Sequence, residues 1–286
     1  MIHSVCSCAP NGGSVEKTLL ITNVPAQQSR SATEVTLSVW HALILRESLS
    51  RLFSSRGAWA WLLLEPMFHI GFMAFVFTVI RVRTVGGIDT VLWLILGFMG
   101  FFLFRRTGNQ GANALKANQS LLVYRQVKPV DTVGVRCLLE GLLMMVLMAF
   151  ALTACALMGL PWWPDEPLTV MGGLLGLWCL GLGFALVVSV AQQLVDELGN
   201  LVDMAMLPMY LLSGVIFPLS AVPYPYREWL MVNPVAHALE LLRSGFSSYY
   251  HATPETDMGY LLACALVLLW LGLALHVRFQ KKLVTQ

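Results

Sequence analysis

Apolar residues fill six stretches of this chain, at 59–80, 88–104, 137–160, 168–191, 201–217 and 259–277, and polar residues gather between them. Each stretch approaches the roughly 20 apolar residues that a helix needs to cross a bilayer, the second and fifth being the shortest. Lipid offers no partner to a backbone N–H or C=O, so a crossing segment must satisfy its own polar groups. No ten-residue alternation of a membrane barrel appears, and six helical spans are predicted. Ahead of them, residues 35–56 set Val35, Val39, Ala42, Leu43, Leu49, Leu52 and Phe53 at helical spacing, with Arg46, Glu47, Ser50 and Arg51 between. That pattern predicts an amphipathic helix, lying either on the membrane face or against the protein. Residues 218–258 carry Pro218, Pro223, Pro225, Pro234 and Pro254 among apolar stretches such as 229–242. Prolines at that density interrupt a spanning helix, yet the apolar residues need burial. Re-entrant helices dipping partway into the membrane are therefore predicted over 218–250. Residues 1–34 are rich in Ser, Asn, Gln and Gly, lack an apolar run, and are predicted to form a mobile tail.

Composition agrees with this reading: 57% of residues are hydrophobic, 12% are charged, and mean hydropathy is +0.70. A soluble domain carries about a quarter charged residues, so lipid must be the solvent for much of this chain. The fold class is an all-α membrane protein, with one membrane domain over 57–286. Net charge is only +2, but its placement is informative. Of the 18 basic residues, 14 lie before the first span, between the second and third, or after the last. Arg81, Arg83, Arg227 and Arg243 fall on the other side. Basic residues mark cytosolic loops, which places both termini in the cytosol.

The chemistry is defined largely by what is missing. No GxxxxGK[ST] loop occurs, nor HExxH, GxSxG or GxGxxG, so no nucleotide site and no catalytic site is predicted in the chain. No metal or other cofactor is expected either: Cys6 and Cys8 have no further ligands nearby, and the other four cysteines sit in apolar runs. Ionisable groups at the centre of a span cost about 2.5–3.5 kcal/mol each. Glu65 and His69, and Arg136 and Glu140, stand four residues apart; each pair either fixes helix register or relays protons. Asp196, Glu197 and Asp203 form an acidic turn, solvated or facing a basic partner. Glu240 and Arg243 share a helix face three residues apart and neutralise one another. The aromatics Trp59, Trp61, Phe68, Phe72 and Phe75 could form a path for sugar rings, with Arg81 and Arg83 attracting a polyanion. The plainer alternatives are an interfacial belt and lipid contact for the rings, and scatter in topology for the two arginines. Gly172, Gly176 and Gly183 lie along one side of the fourth span and permit close helix contact.

Four motifs carry a resemblance: WAWLLLEPMFHI (59–70), NQSLLVYRQVKPVD (118–131), SGVIFPLSAVP (213–223) and NPVAHALELLRSGF (233–246). In this order, within residues 46–280, the chain resembles the ABC-2 type permeases. Among them it is most similar to the bacterial inner-membrane subunits that export capsular polysaccharide. Arg125 departs from the pattern, where proline is expected, and the tail over 1–34 has no counterpart. The resemblance implies a multi-pass inner-membrane homodimer paired with two cytosolic ATPase subunits that bind ATP and Mg, exporting a lipid-linked, acidic glycan. It further implies a gate helix over 35–56 and a coupling helix within 105–131, with Asn118, Tyr124, Arg125, Lys128 and Asp131 at the ATPase. Pro218, Asn233, Pro234, Glu240 and Arg243 would lie at a periplasmic exit, met by an adaptor and an outer-membrane channel. The same fold also serves O-antigen, teichoic acid or drug cargo. A proton-coupled secondary transporter would instead need midplane carboxylates and matching broken helices in two halves, neither of which the sequence offers.

Overall fold

The computed structural model describes residues 32–53, 58–80, 84–122, 126–195 and 197–284. Residues 1–31 of the predicted tail, together with Arg81, Arg83, Tyr124, Arg125 and Asp196, lie outside the described residues, as do the side chains of Trp59 and Trp61. Helix α1 (Ala32–Phe53) takes the amphipathic stretch and α2 (Ala58–Val79) the first apolar one. A hairpin of β1 (Thr84–Val85) and β2 (Ile88–Asp89) follows, pairing Thr84 with Asp89 and Val85 with Ile88. Its turn, Gly86–Gly87, has φ of 57° and 92°, the left-handed backbone that a two-residue hairpin favours. The Asp89 carboxylate then accepts the Val91 N–H at 2.9 Å and caps α3 (Thr90–Ala112).

After α4 (Ala114–Ala117) and a 3-10 turn (Gln119–Leu121), three later helices begin on proline. These are α5 (Pro129–Leu157), α6 (Pro167–Leu194) and α9 (Pro234–Phe246). Proline fits a first helical position because the N–H it lacks would have no partner there. Between them lie α7 (Leu198–Leu212), a 3-10 turn (Leu219–Ala221) and α8 (Tyr226–Leu230), and α10 (Met258–Val284) follows α9.

Among the described residues, α3, α5, α6 and α10 are long and apolar enough to cross a membrane. The first predicted span forms the 22-residue α2, apolar through the described side chains of Leu64–Phe77, and the fifth forms a shorter apolar helix, Leu198–Leu212. The fifth stops five residues early because Gly214, at φ 71°, turns the chain. At about 1.5 Å per residue its 15 residues reach about 22 Å, against a hydrocarbon core of about 30 Å. The basic loop after the second span is also shorter than its polarity suggests. Arg105 and Arg106 belong to α3, and only 113–128 connect it to α5.

α3 is the axis of the molecule. Its apolar window is 83% buried, against 17% for α10, which lies at the edge of the bundle. Around Trp93, Phe98 and Phe101 of α3 pack Met144 and Leu147 of α5, Leu177 and Leu180 of α6, and Leu239 and Leu242 of α9. The glycine side of α6 meets α10 as expected. A Cβ on Gly183 would lie 2.8 Å from the Leu269 nitrogen, and one on Gly272 would lie 2.5 Å from the Leu186 Cβ. The two helices therefore touch almost backbone to backbone, a contact that small residues allow in membranes. Gly183→Leu should force them apart and destabilise the fold by about 1–3 kcal/mol. A fall in the thermal midpoint in detergent, absent for Leu at exposed Gly71, is the measurement that checks it.

Candidate functional site

Charged and hydrogen-bonding groups collect at three places. The first is the end of the bundle where the basic residues lie. There α1 is tied to the segment between α3 and α5 by side chains chosen from its polar face. The Trp40 indole N–H donates to Asp131 at 3.1 Å, and the Arg46 guanidinium donates to the Asn118 carbonyl at 3.0 Å. Arg136 meets the Glu47 carboxylate at 3.2 Å and donates to Gln110 at 3.0 Å. Leu43 of α1 is buried against the protein, while Leu37, Leu45 and Leu49 are exposed. Of the predicted coupling residues, Asn118 is buried, its amide shared between Arg46 and the Ala114 carbonyl, and Asp131 faces α1. Lys128 is exposed on the outer side, just before α5.

The second place is a cleft where α2 and α7 lean on α3. Pro66 inside α2 gives no N–H to the helix ladder, and one turn on His69 reaches inward. Its Nε2 lies 3.1 Å from the Tyr210 hydroxyl of α7, and its ring packs edge-on to Phe98 at 4.7 Å. Two joined cavities of about 130 and 180 Å³ share Glu65, Phe102 and Arg105 as walls. Arg106 and Asn109 line one, Asp203 and Met206 the other. Asn109 donates to Asp203 at 3.0 Å, and Arg106 lies 3.5 Å from the buried Glu140. Thus His69 bonds Tyr210, Arg136 reaches across to α1, and Glu140 reaches across to α3. The two four-residue spacings serve contacts between helices. The cleft is lined by opposite charges above and aromatic rings below, and suits an amphiphile better than a catalytic step.

Phe68, Phe72 and Phe75 do not enter the cleft. They stay outside its lining, each more than half exposed, with Phe68 and Phe72 nearly parallel at 6.5 Å. Met204, Leu207 and Leu211 of α7 are likewise uncovered. The spacing pairs Glu65 with His69 and groups Asp203 with Asp196 and Glu197, but it does not show that Arg105 and Tyr210 join them. Tyr210, a hydroxyl within an apolar run, was the available signal.

The third place is the proline-rich end. Asn233 accepts the Val235 N–H at 3.0 Å, capping α9, and donates to the Ser213 hydroxyl at 2.8 Å. Pro234 follows as the first residue of α9, and Pro218 opens the 3-10 turn. Glu240 and Arg243 pair at 3.5 Å with both side chains 0% exposed. Arg243 stacks over Trp93 at 3.8 Å and donates to the Gly214 carbonyl at 2.9 Å. Glu240 accepts from the Tyr250 hydroxyl at 2.8 Å and the Thr253 N–H at 3.2 Å. Burial, then the neighbouring Glu240 carboxylate, hold the Tyr250 phenol well above its ordinary range, so it remains a donor. Nearby, the Ser248 N–H draws the Asp165 carboxyl below its usual range. These predicted exit residues build and brace α9; they form no ring of free charge.

Residues 38–247, from α1 through α9, match the ABC-2 type transporter family. The chain is 31% identical over 263 residues to the polysialic acid transport protein KpsM of Escherichia coli, covering 90% of this chain and 99% of that protein. It is 29% identical to the capsule polysaccharide export inner-membrane protein CtrC of Neisseria meningitidis serogroup A, covering 84% and 90% respectively. It is 26% identical to the capsule polysaccharide export inner-membrane protein BexB of Haemophilus influenzae, covering 87% and 93%.

Proposed function

The chain belongs to the ABC-2 type transporter family, and we infer that it is the membrane permease that passes capsular polysaccharide across a bacterial inner membrane. One observation carries this reading: similarity over nearly the whole length to three proteins named for capsule or polysialic acid export. The absence of a GxxxxGK[ST] loop supports placing ATP and its Mg on a separate subunit.

In this reading the basic end faces the cytosol, with both termini there, and α2 and α7 complete six crossings. The 113–131 segment receives the ATPase, with Lys128 on its outer side, and α1 is the gate helix bound to it. The proline-rich end is the periplasmic exit, where α8 and α9 are the re-entrant pair, meeting an adaptor and an outer-membrane channel. The uncovered faces of α2 and α7 form, in this reading, the seam with a second copy. A lipid-linked acidic glycan passes along this seam, its sugar rings sliding over Phe68, Phe72 and Phe75. The cleft around Arg105 and His69 lies at the cytosolic mouth.

The test is purification in detergent with a co-expressed ABC ATPase subunit. The expected result is a stable complex whose hydrolysis rises several-fold when capsule polymer is added. A complex stimulated only by O-antigen, teichoic acid or a drug would overturn the cargo, and labelling of 113–131 from the periplasm would overturn the orientation.

A further inference from the structure

Helix α10 is longer than a crossing requires, and one residue of its last turn is buried where a helix end ordinarily frays. Leu283 is 5% exposed although its neighbours Lys281 and Lys282 are exposed. It belongs to an apolar cluster that joins Ala114, Leu115 and Leu122 of the coupling segment to Val133 and Cys137 of α5 and Ala185, Leu186 and Val190 of α6, and Phe279 packs against that cluster. Chain ends keep such order only when something ties them down. The coupling segment is thus held on one side by α1, through Arg46 and Asn118, and on the other by α10.

The other end of α10 is tied as firmly. Leu261 is wholly buried, and the Tyr260 hydroxyl donates to the Val232 carbonyl at 2.7 Å. The Asp257 N–H donates to His237 Nδ1 at 3.0 Å, which fixes His237 Nε2 as the donor to the Met231 carbonyl at 2.6 Å. Between the two ends α10 runs 27 residues without proline, about 40 Å at 1.5 Å per residue. Its close seam with α6 at Gly183 and Gly272 stiffens the middle.

We propose that Leu283 and Phe279 fasten the coupling segment to α10, and that α10 acts as a strut carrying displacement of that segment to the 231–237 turn at the exit. Leu283 and Phe279 are positioning residues that touch no substrate. The inference rests on the reading of 113–131 as the ATPase-receiving segment, and the experiment separates the two. Hydrogen exchange is followed in the permease–ATPase complex in nanodiscs, with and without Mg-ATP, for wild type, Leu283→Ala and Phe279→Ala. Val277→Ala, on the exposed side of α10, is the control.

In the wild type and the control, nucleotide should change exchange both at 113–122 and at 229–237. In Leu283→Ala the change at 113–122 should persist while that at 229–237 falls at least three-fold. Polymer exported per ATP hydrolysed should fall about five-fold, with hydrolysis retained. An undiminished response at 229–237 in both variants would overturn the strut and leave the transporter reading intact. No response at 113–122 in the wild type would overturn the transporter reading, and the strut with it. Should Leu283→Ala fail to assemble, Phe279→Ala, at a partly exposed position, carries the same comparison.

Discussion

Arg243→Met is expected to destabilise the protein by about 3–5 kcal/mol, because it leaves the Glu240 carboxylate buried without its counter-charge. Both side chains are fully buried. Methionine also gives up the stacking on Trp93 and the bonds to the Gly214 and Val215 carbonyls at the end of α7. Loss of the charge should dominate: a buried pair contributes little net stability over an apolar replacement, whereas half a pair is costly. A second change then restores much of the loss. In Arg243→Met with Glu240→Gln no charge remains, and the single glutamine carbonyl oxygen still accepts from one of the two donors, Tyr250 or Thr253. Thermal unfolding in detergent should place the double variant well above the single. Equal midpoints for the two would show that packing on Trp93, not charge, holds α9 in place.

Reversing one charge at the contact between α1 and α5 should produce the largest loss of transport that leaves the fold standing. Glu47→Arg sets a second cation against Arg136, where a carboxylate now sits at 3.2 Å. A hydrogen bond to a charged group contributes about 1.5–3 kcal/mol, enough to loosen α1 from α5 without unfolding the bundle. Export from intact cells should drop more than ten-fold while the amount of inserted protein holds. Exchanging the pair, Glu47→Arg with Arg136→Glu, should recover at least half of the export. Double-mutant comparison isolates the pairwise contribution. A swap no better than either single change would mean that Arg136 acts through Gln110, its other partner.

The crossing helices were legible in the sequence because lipid imposes one rule on every spanning segment, and apolar length reports it directly. The errors arose where polarity and structure part company. Arg105, Arg106, Asn109 and Gln110 read as loop, yet they are the last turns of α3, since each finds a partner or a cleft on a neighbouring helix. Val215, Ile216 and Phe217 prolonged the fifth apolar run past Gly214, where the backbone turns away. Spacing exposed the Glu240–Arg243 pair, but only packing shows that it is buried. Spacing also joined Glu65 to His69, whereas the partner of His69 is Tyr210, 141 residues away. No local pattern contains a contact of that range. The Gly183 contact succeeded because a small side chain on a lipid-facing helix has few other uses.

One consequence concerns where the molecule can yield. α3, α5, α6 and α9 interlock around Trp93 and Phe98, and α10 is welded to α6 along its glycines. In α7, by contrast, only Met206 and Tyr210 are buried, and α2 leaves Phe68, Phe72 and Phe75 exposed. Local opening costs least where few apolar contacts are broken. The bundle is therefore a stiff frame hung with two shutters, and His69 with Tyr210 is the latch between them. Under the proposed export, α2 and α7 would part first and the His69–Tyr210 contact would be the first to break.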